Sequence, residues 1–137
     1  ALHVMPVGQK AIFDIIDHMS FSKSLNGTQT LSLAGQIVQD ADRLDAIGAI
    51  GIARALYYSG HVGEKIYDPA IEPRLHMTKE QYRNEPGTAI NHFYEKIFKL
   101  ENLMNTDAAK ALAHQRTNVM RAFVDQFKAE WQADDQG

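Results

Sequence analysis

The chain has 137 residues, 45% of them hydrophobic and 23% charged, with a formal net charge of −3 and no cysteine. That length and composition suit one globular domain with a modest core, and the slight acidic balance gives no electrostatic case for nucleic-acid binding. The absence of thiols excludes disulfides, thiolate metal sites and a cysteine nucleophile and suits the reducing cytoplasm, and no apolar run approaches the roughly 20 residues that span a bilayer.

In chain order the pattern is helical throughout. Val7 to about His18 carries Ala11, Ile12, Ile15 and Ile16 at helical spacing. Ser20 to Thr30 is polar and contains the turn signal Asn26-Gly27. A helix is predicted from about Leu31 to Asp45, a bend at the glycines, and a second helix from about Ile47 to Ser59. Gly60 to Met77 holds two prolines and two glycines and reads as a long loop, a kind of segment that is often functional. Thr78 with Glu80-Gln81 opens a short helical turn that Asn84-Glu85-Pro86-Gly87 closes. Thr88 caps a helix expected to bury Ile90, Phe93, Tyr94, Ile97 and Leu100. Asn105, Thr106 and Asp107 offer N-caps for the last helix, whose Leu112, Val119, Met120, Phe123, Phe127 and Trp131 are assigned to the core. A homodimer seam through Phe127 and Trp131 is the second reading of that stripe. The fold class is all-α.

The most informative stretch is Val38 to Arg54. It sets Asp40, Asp42 and Asp45 among apolar residues and runs into Gly48 and Gly51. On a helix Asp42 and Asp45 share a face, with Gln39 just before them, while Asp40 is rotated by about 200° from Asp42 and faces elsewhere, near Arg43. The three carboxylates are therefore not one cage. Val38, Ala41, Leu44 and Ile47 place the strip beside a core, and the small residues Gly48, Ala49, Gly51 and Ala53 admit another backbone closely. A calcium loop is excluded, because the expected glycine and final acid fall on Asp45 and Gly51. Spacing alone leaves two readings open, a metal-binding strip or a salt-bridge network paired by Arg43 and Arg54.

The segment from Asp40 to Arg54 resembles the last signature segment of the HD-domain phosphohydrolases, in particular a subgroup of small bacterial members. His18-Met-Ser-Phe-Ser-Lys23, Ile66-Tyr-Asp-Pro69, Ile90-Asn-His-Phe-Tyr-Glu-Lys96, Leu103-Met-Asn-Thr106 and Phe127-Lys-Ala-Glu-Trp131 match in the same order, so the likeness covers nearly all of the chain. The resemblance implies an HD-like helical bundle and a divalent metal ion held by a His, a His-Asp pair and a later Asp, which maps onto Asp42. No His-Asp dipeptide occurs here. Residues 1–137 are accordingly read as the C-terminal part of a single HD-like domain, with the metal-binding helices upstream. A degenerate form that lost the metal is the alternative.

On that reading Asp42 is a direct metal ligand, and Asp45 and Gln39 orient ligands or water. His18 with Ser20, Ser22 and Lys23 forms a polar run that either contacts a phosphate or caps a helix end. His92 is expected to be a buried structural histidine, His61 and His76 to flank the loop in solvent, and His114 to lie on the outer face of the last helix. No phosphate loop, serine elbow or paired-histidine zinc motif is present. The resemblance implies hydrolysis of a phosphate ester, with a nucleotide as one candidate, and a small phosphorylated substrate as partner. A non-catalytic HD module binding a nucleotide or a protein is the competing function.

Overall fold

The computed structural model describes residues 6–18, 31–76, 78, 80 and 87–133. Among them the chain forms α1 (Pro6–His18), α2 (Leu33–Asp45), α3 (Gly48–Val62), α4 (Ala89–Glu95), a 3-10 helix (Ile97–Leu103) and α5 (Asp107–Gln132). The one β-type contact is an isolated parallel bridge between Lys65 and Thr88. No described helix is long and apolar enough to cross a membrane. Lys23, the turn at Asn26-Gly27 and most of the turn expected over residues 78–87 lie outside the described residues.

Three of the helix starts have a local cause. Ser32 accepts the Gly35 N–H at 3.2 Å, Thr88 the Asn91 N–H at 3.1 Å and Thr106 the Ala109 N–H at 3.3 Å, each satisfying an otherwise unpaired N-terminal donor. The α2–α3 bend falls where the glycines predict it. Gly48 adopts φ +76°, and a Cβ on Gly51 would lie 2.4 Å from the Ala46 carbonyl oxygen, so the close approach is the chain folding onto its own preceding turn. Gly63, at φ +71°, closes α3 by returning its N–H to the last turn.

The core gathers Ile47, Ile90, Phe93, Leu100, Met120 and Val124 between α3, α4, the 3-10 helix and α5. Two expectations need correction. The helix expected to carry Ile90 through Leu100 stops at Glu95; Lys96 leaves helical geometry at φ −137°, ψ −57°, and a 3-10 helix follows. The tighter winding buries Ile97, Phe98 and Leu100 together, which one α-helical face would not do, and Arg121 covers the Phe98 ring at 4.5 Å. On α5 the buried face is Ala109, Ala113, Thr117, Met120 and Val124. Leu112, Val119 and Trp131 are 45%, 50% and 55% exposed, not core. Ala109, Ala113 and Thr117 let α5 pack closely on α3 and α2, Met120 and Val124 continue the same buried face, and Leu112, Val119 and Trp131 fall off it. Phe123 and Phe127 are half-buried at its edge, where Phe127 and Trp131 stack beside Tyr67.

The loop after α3 is pinned at several points. The Ala89 and Ile90 N–H groups donate to Lys65 and Ile66 carbonyls at 3.0 Å, and Asn91 Nδ2 donates to the Ile71 carbonyl at 2.7 Å. Arg74 gives its backbone N–H and its Nε to Glu95 Oε1, and Nη2 to Oε2, at 2.9–3.0 Å.

Candidate functional site

α2 turns its carboxylates in different directions. Asp40 is buried: its Oδ1 accepts the Asn105 N–H and Nδ2 at 2.8 and 2.9 Å, and its Oδ2 accepts the Thr106 N–H and hydroxyl, both at 2.8 Å. Burial works against its charge, but these donors outweigh it and hold the carboxyl below the usual aspartate value. The carboxylate also sits at the N-terminal end of α5, where the helix dipole favours an anion. Gln39, expected beside Asp42, instead accepts from Asn105 Nδ2 at 3.0 Å and belongs to this structural cluster. Arg43 is buried nearby and donates to the Leu103 carbonyl, and Arg116 donates to the Leu44 carbonyl at 2.6 Å. Val38 and Ala41, expected against the core, are exposed.

Asp42 projects outward from the same helix and is exposed. Arg43 and Lys96 both lie near enough to feel its charge. Asp45 is also exposed and forms an ion pair with Arg54 across the bend, and Arg54 donates as well to the Asp45 carbonyl at 3.1 Å. The salt-bridge reading therefore holds for Asp45, while Asp40 and Asp42 are separated as the helix period requires. His18 ends α1 with Nδ1 2.6 Å from the Asp14 carbonyl oxygen, and the serines and Lys23 that would accompany it lie outside the described residues. His61, His76 and His114 are exposed as expected, His114 pairing with Glu101 at 2.7 Å.

A cleft of about 1240 Å³ opens between α3, the pinned loop, α4 and the 3-10 helix. On the α3 side it is lined by Arg54, Tyr57, Tyr58 and Val62, and on the α4 side by His92, Glu95, Lys96 and Ile97. The loop contributes Glu64, Lys65 and Arg74. Ser59, at the floor, donates its hydroxyl to Glu64 at 2.6 Å. Glu95 is buried and bracketed by Arg74, whose donors hold its carboxyl below the usual value against the opposing effect of burial. Burial, with the nearby Lys96 and Arg74 cations, pushes the His92 imidazole below its ordinary pKa against the pull of Glu64 and Glu95. His92 is therefore a largely neutral ring near pH 7 and can donate or accept a hydrogen bond at the cleft wall. Burial likewise lowers Lys96, and Asp42 counteracts this.

The sequence reading missed most of this cleft. Tyr57, Tyr58, Glu64 and Arg74 follow no recognised motif. The available signal was the Ile90–Lys96 segment, which brings His92, Glu95 and Lys96 to one wall. Among the described residues no three His, Asp or Glu side chains converge as the donor set of a metal ion. Asp42 supplies one open carboxylate, which does not by itself make a metal site.

No family model matches the chain. Over 120 residues it is 38% identical to the uncharacterised protein YpgQ of Bacillus subtilis, a match that takes in 87% of this chain and 51% of YpgQ. The chain thus spans about half the length of the curated relative it matches. A crystal structure of a Lactobacillus plantarum protein superposes with a TM-score of 0.87 at 80% identity, over 95% of this chain and 61% of that one. The structure of YpgQ in complex with ADP superposes with a TM-score of 0.68 at 32% identity, over 93% and 56% of the two chains. A Bacillus thuringiensis protein described as an HD-superfamily hydrolase gives a TM-score of 0.68 at 43% identity, over 96% of this chain and 57% of that one. In sequence and in its all-helical architecture, the chain is similar to an HD-superfamily hydrolase.

Proposed function

We propose that this chain is the C-terminal portion of an HD-type phosphohydrolase that cleaves a phosphate ester, with a nucleotide as one candidate substrate. The observation that carries the reading is the outward placement of Asp42, on the segment that resembles the HD signature and within electrostatic reach of Lys96 on the cleft wall. The 43% identity to an HD-superfamily hydrolase and the ADP complex of YpgQ support it. Asp42 would be one ligand of a divalent ion whose remaining ligands come from residues outside this chain. Within the chain, Lys96 and Arg54 set positive charge along the cleft, and the Arg74–Glu95 clamp fixes the loop that forms its edge. Asp45, engaged by Arg54, would act by holding that arginine in position. His18 and Lys23 are proposed to lie at the substrate's phosphate. A cysteine-free chain suits the reducing cytoplasm, where we place the enzyme.

The test uses the protein expressed from its complete gene. An intact mass well above 15.4 kDa is expected. Asp42→Ala should remove bound metal and lower metal-dependent phosphate-ester hydrolysis by at least about 100-fold, with the thermal melt retained. Unchanged hydrolysis would refute the assignment. A wild-type protein that holds no divalent ion and hydrolyses no phosphate ester, yet binds ADP, would instead be the non-catalytic module.

A further inference from the structure

The cleft is asymmetric in its chemistry. Its α3 side presents two adjacent tyrosines, Tyr57 and Tyr58, at 81% and 64% exposure, and both line the cleft. Two open aromatic rings beside one cleft make an apolar surface that folding leaves uncovered among the described residues. Arg54 precedes Tyr58 by four residues and Val62 follows it by four, so the three share one helical face. The α4 side carries the half-buried Lys96 at the break between α4 and the 3-10 helix, with the imidazole of His92 one turn before it. Exposed aromatic rings and an ammonium lining one cleft match the two ends of a nucleoside phosphate. Bases stack on aromatic rings without regard to sequence, and phosphate is drawn to a partly desolvated cation.

We propose that Tyr57 and Tyr58 form the base-stacking subsite of this cleft and that Lys96 contacts the phosphate of the same nucleotide. The proposal rests on the reading that the cleft handles a phosphorylated small molecule, and adds which residues recognise which end of it. Tyr57 and Tyr58 are binding and specificity residues with no part in the chemistry. Lys96 serves every phosphorylated ligand alike.

The experiment measures binding of AMP and of ribose 5-phosphate, which carry the same single phosphate, to the complete protein by calorimetry. Stacking of one base should make AMP bind about tenfold or more tighter than ribose 5-phosphate. The double variant Tyr57→Ala/Tyr58→Ala should lose that preference and bind ribose 5-phosphate as the wild type does. Lys96→Met should weaken both ligands about tenfold or more, with Lys96→Arg restoring most of the affinity. Equal affinity of the wild type for the two ligands would overturn the proposal, and that result needs no variant to fold. So would a double variant that keeps the preference, or one whose melt falls with its discrimination intact in the gentler Tyr→Leu pair. Hydrolysis of ribose 5-phosphate by the wild type tests the phosphohydrolase reading separately, since it can succeed with no preference for AMP.

Discussion

Asp40 and Asp42 stand two positions apart on α2, so about 200° separates their side chains. One turns inward and accepts four hydrogen bonds from Asn105 and Thr106, and the other turns outward. Removing the inward one leaves buried N–H groups without an acceptor, at a cost of the order of 3 kcal/mol. Asp40→Ala in the complete protein should therefore lower the melting temperature by several degrees, measured by calorimetry near pH 7. The pH dependence follows from the same bonds. The carboxyl of Asp40 is held below its ordinary value in the folded state, so its contribution is fully present above the unfolded value near 4. It is lost as pH falls through that value toward the folded one, because the unfolded chain then binds the proton more readily. Wild type should lose stability more steeply between about pH 5 and 2 than Asp40→Ala, and parallel melting curves across that range would contradict the assignment. The helix period alone showed in the sequence that Asp40 and Asp42 diverge. Which of them is inward depended on Asn105 and Thr106, 65 and 66 residues away along the chain, and no local pattern reports that.

At the scale of elements, local chemistry located the starts and the bend. Ser32, Thr88 and Thr106 cap helices through bonds three residues long, and Gly48 takes a positive φ that a residue with a Cβ rarely adopts. The Gly51 position is a sharper test. Gly51→Ala would drive its Cβ to 2.4 Å from the Ala46 carbonyl oxygen, a backbone atom that cannot swing aside. A loss of about 1–3 kcal/mol is expected. Gly60→Ala, in the same helix with nothing within 4 Å of its Cβ, should be neutral or stabilising by up to about 1 kcal/mol. Calorimetric melts of the two variants decide it, and similar losses would mean that the bend does not need the missing Cβ. The break at Lys96 was not legible, because Ile97 and Leu100 continue a helical period. Only contact with Phe93, Phe98 and α5 makes the tighter winding favourable. The stripe on α5 misled for a related reason: packing on α2 and α3 selects the face of Ala109, Ala113, Thr117, Met120 and Val124, and Leu112 and Val119 lie off it although they are apolar.

At the scale of the molecule, several large apolar side chains among the described residues stay open. Phe13 and Ile16 on α1, Leu33 and Ile37 on α2, and Ile50 on α3 are each more than half exposed. Patches of this kind on a stable protein are covered by something. The chain spans about half of YpgQ, and the remainder of a protein of that length is where we expect the cover to come from. Residues 1–137 produced alone should bind a hydrophobic reporter dye several-fold more strongly than the complete protein. Equal dye fluorescence from the two would show that these faces remain open in the complete protein.

The sequence by itself determined the helical class, the caps, the α2–α3 bend and the divergence of Asp40 from Asp42. These depend on the 3.6-residue period, on side-chain acceptors three residues away and on glycine's missing Cβ, all of which act within one or two turns. The tertiary structure alone decided that Asp40 locks α2 to the start of α5, that Lys96 ends a helix, and that two tyrosines, a histidine and a lysine line one cleft. Those outcomes depend on groups tens of residues apart whose meeting is set by packing, and packing is a property of the folded chain.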